Sequence, residues 1–247
     1  MIRGLQIFPD AIPQDLPAIR AMGIRLVRLA HAGDRPDLVH HVIDAGLRVL
    51  VTVDRADQIK AMPDRIDIEL GNEPDIASNG WTVQRYIAEA AAAIPICEAK
   101  GCMFWAGAIS NLHRKGFEFL RALPWQQAPA WCGCSIHRYP ENTGPLMPHY
   151  GFASRAAEIA ELRRIVGPRK LACSEVGYHD GKHWSEADVA SAMRFERMFF
   201  EAQGFELISA YQLNDGPLGD LSDDGHYGFG RSDGTWKPVV AAWTSNI

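Results

Sequence analysis

Eight short apolar runs, separated by longer stretches of mostly helical pattern, constrain this chain more than any other feature. The runs are Leu5–Phe8, Arg25–Ala30, Arg48–Val53, Ile66–Leu70, Met103–Ala108, Cys132–His137, Lys170–Ser174 and Leu207–Gln212. Each has the length and apolar content of a buried strand. Between them, Pro13–Met22 and Pro36–Ala45 begin at or near a proline and stop before Gly23 or Gly46, the usual asymmetry of helix ends. Thr82–Lys100 is alanine-rich and stops at Gly101, with Pro95 expected to kink it or end its regular part early. Ala153–Val166 stops at Gly167-Pro168. Ser185–Gln203 opens with acidic residues at the positive end of the helix dipole. Trp236–Thr244 is the last helical pattern, and the third connection, Arg55–Met62, has room only for a short turn of helix.

Strict alternation of strand and helix implies a parallel sheet with its helices outside, because crossovers of one hand return each strand beside the last. Eight such units in 247 residues predict an α/β fold, a closed (β/α)8 TIM barrel, as one domain over residues 1–247. A doubly wound sheet fits less well, since no Gly-x-Gly-x-x-Gly turn follows the first run.

Composition narrows the class of partner. Hydrophobic residues make up 47% and charged residues 22%, a globular balance. The formal charge of -5 is mild and the basic residues are scattered, which argues against nucleic acid and acidic membrane surfaces. No apolar stretch approaches a membrane span. Five cysteines form no paired framework, and the Cys132-x-Cys134 spacing reads as two small buried residues on one side of a strand rather than a metal site. The chain enters its first strand within a few residues of Met1, so the expectation is a cytoplasmic protein, or a secreted one whose leader has been removed. A monomer is expected.

In this barrel type the reactive groups stand at the C-terminal ends of strands and on the loops that follow. The fourth run leads into Asn72-Glu73-Pro74, the sixth into His137-Arg138-Tyr139 and the seventh into Glu175. Arg28 lies in the second, and the eighth ends Tyr211-Gln212. Two carboxylates across one barrel mouth are what glycosidic cleavage needs: one carboxylic acid to protonate the departing oxygen, and one carboxylate to attack the anomeric carbon or activate water. Arg28, His137 and Tyr139 are donors able to hold one of them ionised. Glu69, by strand alternation, is expected to point elsewhere and either to serve the structure or to support the site residues from behind.

Asn-Glu-Pro after the fourth strand, His-x-Tyr after the sixth and Glu after the seventh resemble the clan A glycoside hydrolases, families 5 and 39 most nearly. The resemblance follows strand order along the whole chain. It implies Glu73 as acid/base, Glu175 as nucleophile and a β-linked oligo- or polysaccharide substrate, with no cofactor or metal. It also implies that Asn72 binds a sugar hydroxyl, that Arg28 and Tyr139 hydrogen-bond the nucleophile, and that His137 lines the same pocket. Tyr227-Gly228-Phe229 through Asp233-Gly234-Thr235-Trp236-Lys237-Pro238 is similar to the run that positions the last helix in that clan. Two departures stand out. Tyr211 takes the place where many members have a tryptophan, leaving Trp236 or Trp184 as candidate sugar platforms. The histidine that family 5 often carries near the end of strand three is replaced by Asp54.

His31, His179, His183 and His226 lie in loops on the same face and are expected to be solvated. Tyr178 and Trp184 either stack on sugar or anchor their loops. The Gly- and Asp-rich segment 214–234 reads as a lid or substrate wall, its spacing unlike the calcium-binding Asp-x-Asp-x-Asp-Gly loop. Two other classes compete: a carbohydrate-binding barrel without catalysis, and a metal-dependent barrel enzyme. The second needs a lysine at a strand end or a carboxylate/histidine cluster, and neither is evident in the sequence.

Overall fold

The computed structural model describes residues 1–8, 16–140, 144–148, 151–180, 184–213, 227–231 and 234–245. Its eight strands are β1 (Ile2–Ile7), β2 (Leu26–Leu29), β3 (Arg48–Val53), β4 (Asp67–Leu70), β5 (Met103–Ile109), β6 (Gly133–Arg138), β7 (Leu171–Val176) and β8 (Leu207–Ala210). All neighbours pair in parallel, and β1 pairs β8, closing the barrel. Helices α1 (Leu16–Ala21), α2 (Pro36–Asp44), α3 (Val83–Lys100), α4 (Arg114–Ala122), α5 (Arg155–Val166), α6 (Glu186–Ala202) and α7 (Val239–Thr244) join them, with a 3-10 turn, Ala56–Ala61, in the third connection. The predicted (β/α)8 barrel is the fold observed. Among the described residues no helix is long and apolar enough to cross a membrane.

Strand residues alternate between two environments. Those facing out, such as Val27, Val51, Ile68, Phe104, Ile136 and Ile208, join the large core between barrel and helices. Those facing in form a second, separate cluster at the barrel floor: Leu26, Leu50, Trp105, Ala172 and Leu207. Gly133 makes room for the Trp105 indole, since a Cβ there would stand 2.4 Å from the ring. The indole N–H donates to Asp67 Oδ1 at 2.9 Å, and Asp67 pairs with Arg48. Above this floor the inward positions turn polar, with Gln6, Arg28, Thr52, Glu69, Ser135, His137 and Ser209 all buried.

α7 seals the floor. Trp243 donates its indole N–H to the Gly4 carbonyl at 3.1 Å, while Arg3 and Arg197 donate to carbonyls at the helix's C-terminal end, which lack intrahelical partners.

Local structure departs from the sequence expectations at α3, α4 and the ends of β7 and β8. α3 runs unbroken past Pro95 to Lys100 and ends at Gly101 as expected. Pro95 and Ala91 are both exposed, so the carbonyl deprived of its donor turns to water. α4 has no counterpart in the sequence reading. Its N-cap is His113, whose ring accepts from the Gly116 N–H at 3.0 Å, and Gly116 sits in its first turn. That glycine answers a close approach, because a Cβ would lie 2.4 Å from the Asn111 carbonyl oxygen. β7 extends through Val176, so Glu175 lies within a strand, and β8 stops at Ala210, before Tyr211. The first residues of the predicted helix 13–22 and most of the expected lid, 214–226 and 232–233, lie outside the described residues, as do His183 and His226.

Candidate active site

A cavity of about 330 Å³ opens at the C-terminal ends of the strands. Gln6, Asn72, Glu73 and Glu175 give it a polar wall, and Phe8, Tyr139, Tyr211 and Tyr227 an aromatic one, with Ala30 and His31 at β2.

Two bulges aim the carboxylates. In β7, Cys173 pairs Ile136 and Glu175 pairs His137, so Ser174 is an extra residue and Glu175 is turned to the same side as His137. Re-aiming a side chain is what a bulge does beside a site. In β5 the register slips between Gly107 and Ile109, and the bulged Ala108 accepts the Glu73 N–H at 2.9 Å. Glu73 and Ala108 both have positive φ, 47° and 43°, a conformation that costs side-chain-bearing residues about 1–3 kcal/mol. Neighbours hold this turn in place. Asn79 donates to the Asn72 and Glu73 carbonyls, and Asp75 accepts from the Ser110 N–H and hydroxyl at 2.8 Å each. Tyr86 on α3 ties the end of β4 to the bulge, donating to Leu70 O and accepting from the Gly107 N–H.

Arg28 is fully buried beneath the cavity. Its Nη1 donates to Glu175 and Gln6, its Nε and Nη2 to Glu69 Oε2 at 2.8 and 2.5 Å, and its Nη2 to Asn72 at 3.0 Å. Burial works against its charge, but Glu69 and Glu175 outweigh that and strengthen its hold on the proton. The other Glu175 oxygen accepts from the Tyr139 hydroxyl. Burial and the Glu175 charge keep that phenol neutral, far above its ordinary range. Asn111 clamps the Tyr139 backbone from both sides, accepting from its N–H and donating to its carbonyl, each at 3.1 Å.

His137 stands between the carboxylates, its Nδ1 3.1 Å from Glu73 Oε1 and 3.4 Å from Glu175 Oε2. Burial alone would lower its pKa. The Glu175 charge and the hydrogen bond to Glu73 outweigh burial and raise it. Glu73 is less enclosed, with 20% of its side chain exposed. Burial pushes its carboxyl up, but the hydrogen bond and charge of His137, with Arg28, bring the net shift below the ordinary value. Glu73 and His137 are therefore a coupled pair holding one proton between them.

One oxygen of each carboxylate and a nitrogen of His137 lie within 4.8 Å of one another, an arrangement that can also ligate a cation. No carboxylate/histidine cluster is evident in the sequence; the fold assembles one from three strand ends. The Arg28 guanidinium already bonded to Glu175 opposes a second positive charge there.

Arg28, Asn72, Glu73, His137, Tyr139, Glu175 and Tyr211 meet in one place. Trp236 does not: it pairs in a bridge with Gly230, the residue is 44% exposed, and it is not among the residues around the cavity. Trp184 packs edge-on against Tyr178, whose hydroxyl donates to Glu196 at 2.7 Å, so both anchor loops. His179, expected to be solvated, is buried against Tyr227, while the exposed His31 lines the cavity. Asp54 is not in the wall; its N–H caps onto Gln58 Oε1 at the 3-10 turn. Tyr227, read from sequence only as part of the run before the last helix, joins Tyr139 and Tyr211 in a mutually edge-to-face trio with centroids 5.4–5.8 Å apart. The peptide between Tyr211 and Gln212 is cis.

No protein-family model and no curated protein matches the chain. Solved structures do, and those described here are clan A glycoside hydrolases. A family 39 glycoside hydrolase from Bacteroides cellulosilyticus superposes with a TM-score of 0.71 at 15% identity, over 98% of this chain and 62% of its own. A GH5_18 protein from Bifidobacterium longum, in complex with Manβ1-4GlcNAc, gives 0.71 at 16% identity, over 99% and 77%. A broad-specificity GH5-4 endoglucanase from Clostridium acetobutylicum gives 0.70 at 14% identity, over 99% and 97%. The chain thus spans less than two thirds of the family 39 structure and nearly all of the endoglucanase. At these identities the likeness is one of fold.

Proposed function

We propose that this chain is a retaining O-glycoside hydrolase acting on a β-linked oligo- or polysaccharide, with Glu175 as nucleophile and Glu73 as acid/base, carried by one domain over residues 1–247. The observation behind this is the approach of the two carboxylates, with oxygens within 4.8 Å. Retaining enzymes hold these groups about 5–5.5 Å apart, whereas inverting ones leave about 6.5–9.5 Å for a water.

The surroundings divide the roles. Glu175 accepts from a guanidinium and a phenol, which fix the direction of its lone pairs. Glu73 shares a proton with His137 and reaches solvent, as a group that must give and regain a proton should. In the first step a Glu175 oxygen attacks the anomeric carbon while the Glu73–His137 pair delivers its proton, through Glu73, to the departing oxygen. The glycosidic bond breaks and a covalent glycosyl-enzyme forms. In the second, Glu73 takes a proton from water, the water oxygen attacks the same carbon and Glu175 leaves. Asn72, its Oδ1 held by Arg28, offers amide N–H groups to a sugar hydroxyl. Tyr211 and Tyr227 offer ring faces and edges to the apolar side of the sugar. Neither step calls for a cofactor.

The experiment is turnover of aryl β-glycosides, β-glucan and mannan, with Glu175→Ala as control. Expected is turnover by the wild type, lost on the order of 10⁴-fold or more in the variant and restored by azide as an inverted glycosyl azide. Substrate binding without turnover would instead favour a carbohydrate-binding barrel.

A further inference from the structure

A third carboxylate lies below the site, and the chemistry above leaves it unused. Glu69, on β4, is fully buried and accepts two hydrogen bonds from Arg28, at 2.8 and 2.5 Å, with Thr52 Oγ1 at 3.4 Å from the same oxygen. The remaining terminal nitrogen of that guanidinium donates to Glu175 and Gln6. One cation thus bridges two carboxylates, one above and one below. Burial alone would push Glu69 towards its neutral form. The charges of Arg28 and His137 outweigh it and hold the carboxyl below its ordinary value, so the group is an anion.

A guanidinium facing Glu175 alone would do more than orient it. It would bind the carboxylate's electrons tightly and blunt its attack on carbon. Glu69 takes up part of that charge and, through two N–H bonds, fixes the plane of the guanidinium. We propose that Glu69 is a positioning residue that acts through Arg28, aligning the guanidinium and sharing its charge so that Glu175 is held in place yet remains reactive. This rests on reading Glu175 as the nucleophile.

Glu69→Gln keeps the size and one acceptor oxygen but removes the charge. Expected is a loss of roughly tenfold in kcat/KM on an aryl glycoside the wild type cleaves, with the whole pH profile of kcat/KM moved to lower pH by about one unit. With Arg28→Lys, the double variant should be no worse than Arg28→Lys alone, because both changes act on one contact. A profile that stays in place while activity falls only in step with Tm, or additive losses in the double variant, would overturn the proposal. If Glu69→Gln does not fold, Glu69→Asp keeps the charge and withdraws it from Arg28. A roughly tenfold loss with the profile in place is then expected, and unchanged kcat/KM overturns the proposal. If the wild type cleaves no glycoside, the glycosidase reading fails by itself. Glu69 is then judged by the nitrogen-15 titration of the His137 ring, expected at lower pH in Glu69→Gln and, if unmoved, fatal to the coupling.

Discussion

Glu69 and Trp105 are register partners on neighbouring strands, yet they belong to opposite halves of the barrel interior. Trp105 turns to the floor with Leu26, Leu50, Ala172 and Leu207. Glu69 joins Arg28 and, through it, the proposed nucleophile Glu175. The floor gains stability from apolar burial. The polar layer gives some of it up, since charges taken out of water recover their hydration only through well-placed partners. The same ring of strands supports both because inward residues two apart along a strand lie in successive layers, as Leu26 and Arg28, Leu50 and Thr52, and Leu207 and Ser209 do.

The contrast fails if the halves respond alike to substitution. The largest expected effect is on the floor: Trp105→Ala should destabilise the fold by about 3–5 kcal/mol in urea unfolding. The kcat of the protein that remains folded should stay within about twofold. A larger fall in kcat would mean that floor and site are one unit.

Glu73→Gly tests the other half. Glycine accepts the φ of 47° without penalty, so stability should rise by about 1 kcal/mol while kcat/KM falls on the order of 10²–10⁴-fold. The loss should shrink on glycosides of acidic phenols, which leave unaided. A fall in Tm with the fall in rate would contradict strain at this turn.

A smaller effect concerns pH. The folded-state pKa of His137 is raised above its unfolded value, so protonation favours the fold. That contribution is fully present below about pH 6.5 and is lost as pH rises through the folded value. The stability difference between wild type and His137→Gln should therefore shrink from about pH 6.5 upwards, as followed by Tm. A difference that grew with pH would reverse the sign of the coupling. The smallest effect concerns metal: prior treatment with a chelator should leave turnover unchanged, and lost activity restored by a divalent cation would assign the Glu73–His137–Glu175 cluster to metal.

The strands were legible because a buried parallel strand is an apolar run with few other readings. Glu73 and Glu175 stood out as carboxylates just past the ends of such runs, Glu73 within Asn72-Glu73-Pro74. What stayed hidden depended on geometry without a residue-type signature. The bulge at Ser174 adds one residue to a ladder, and no side chain announces it. His113 is an unusual N-cap, and Gly116, there to fit against Asn111, reads as a helix breaker, so α4 carries no usual helix-start signature in its sequence. Tyr86, Asp75 and Asn111 act on backbone groups brought close only by closure of the barrel. Trp236 was the reverse case. Its ring suited a sugar platform, but its bridge to Gly230 leaves the side chain exposed away from the cavity.

The pairing of β1 with β8 also governs how the molecule comes into being. Gly4 meets Ser209, a partner about two hundred positions later in the chain. At ribosomal speeds of roughly 5–20 residues per second, that interval lasts on the order of 10–40 s. Throughout it, the nascent sheet has two open edges, each a template for a stray strand. Only the arrival of the eighth strand turns a sheet with ends into a ring without any, so a pause in translation ahead of β8 prolongs the one stage at which this protein is able to pair with the wrong chain.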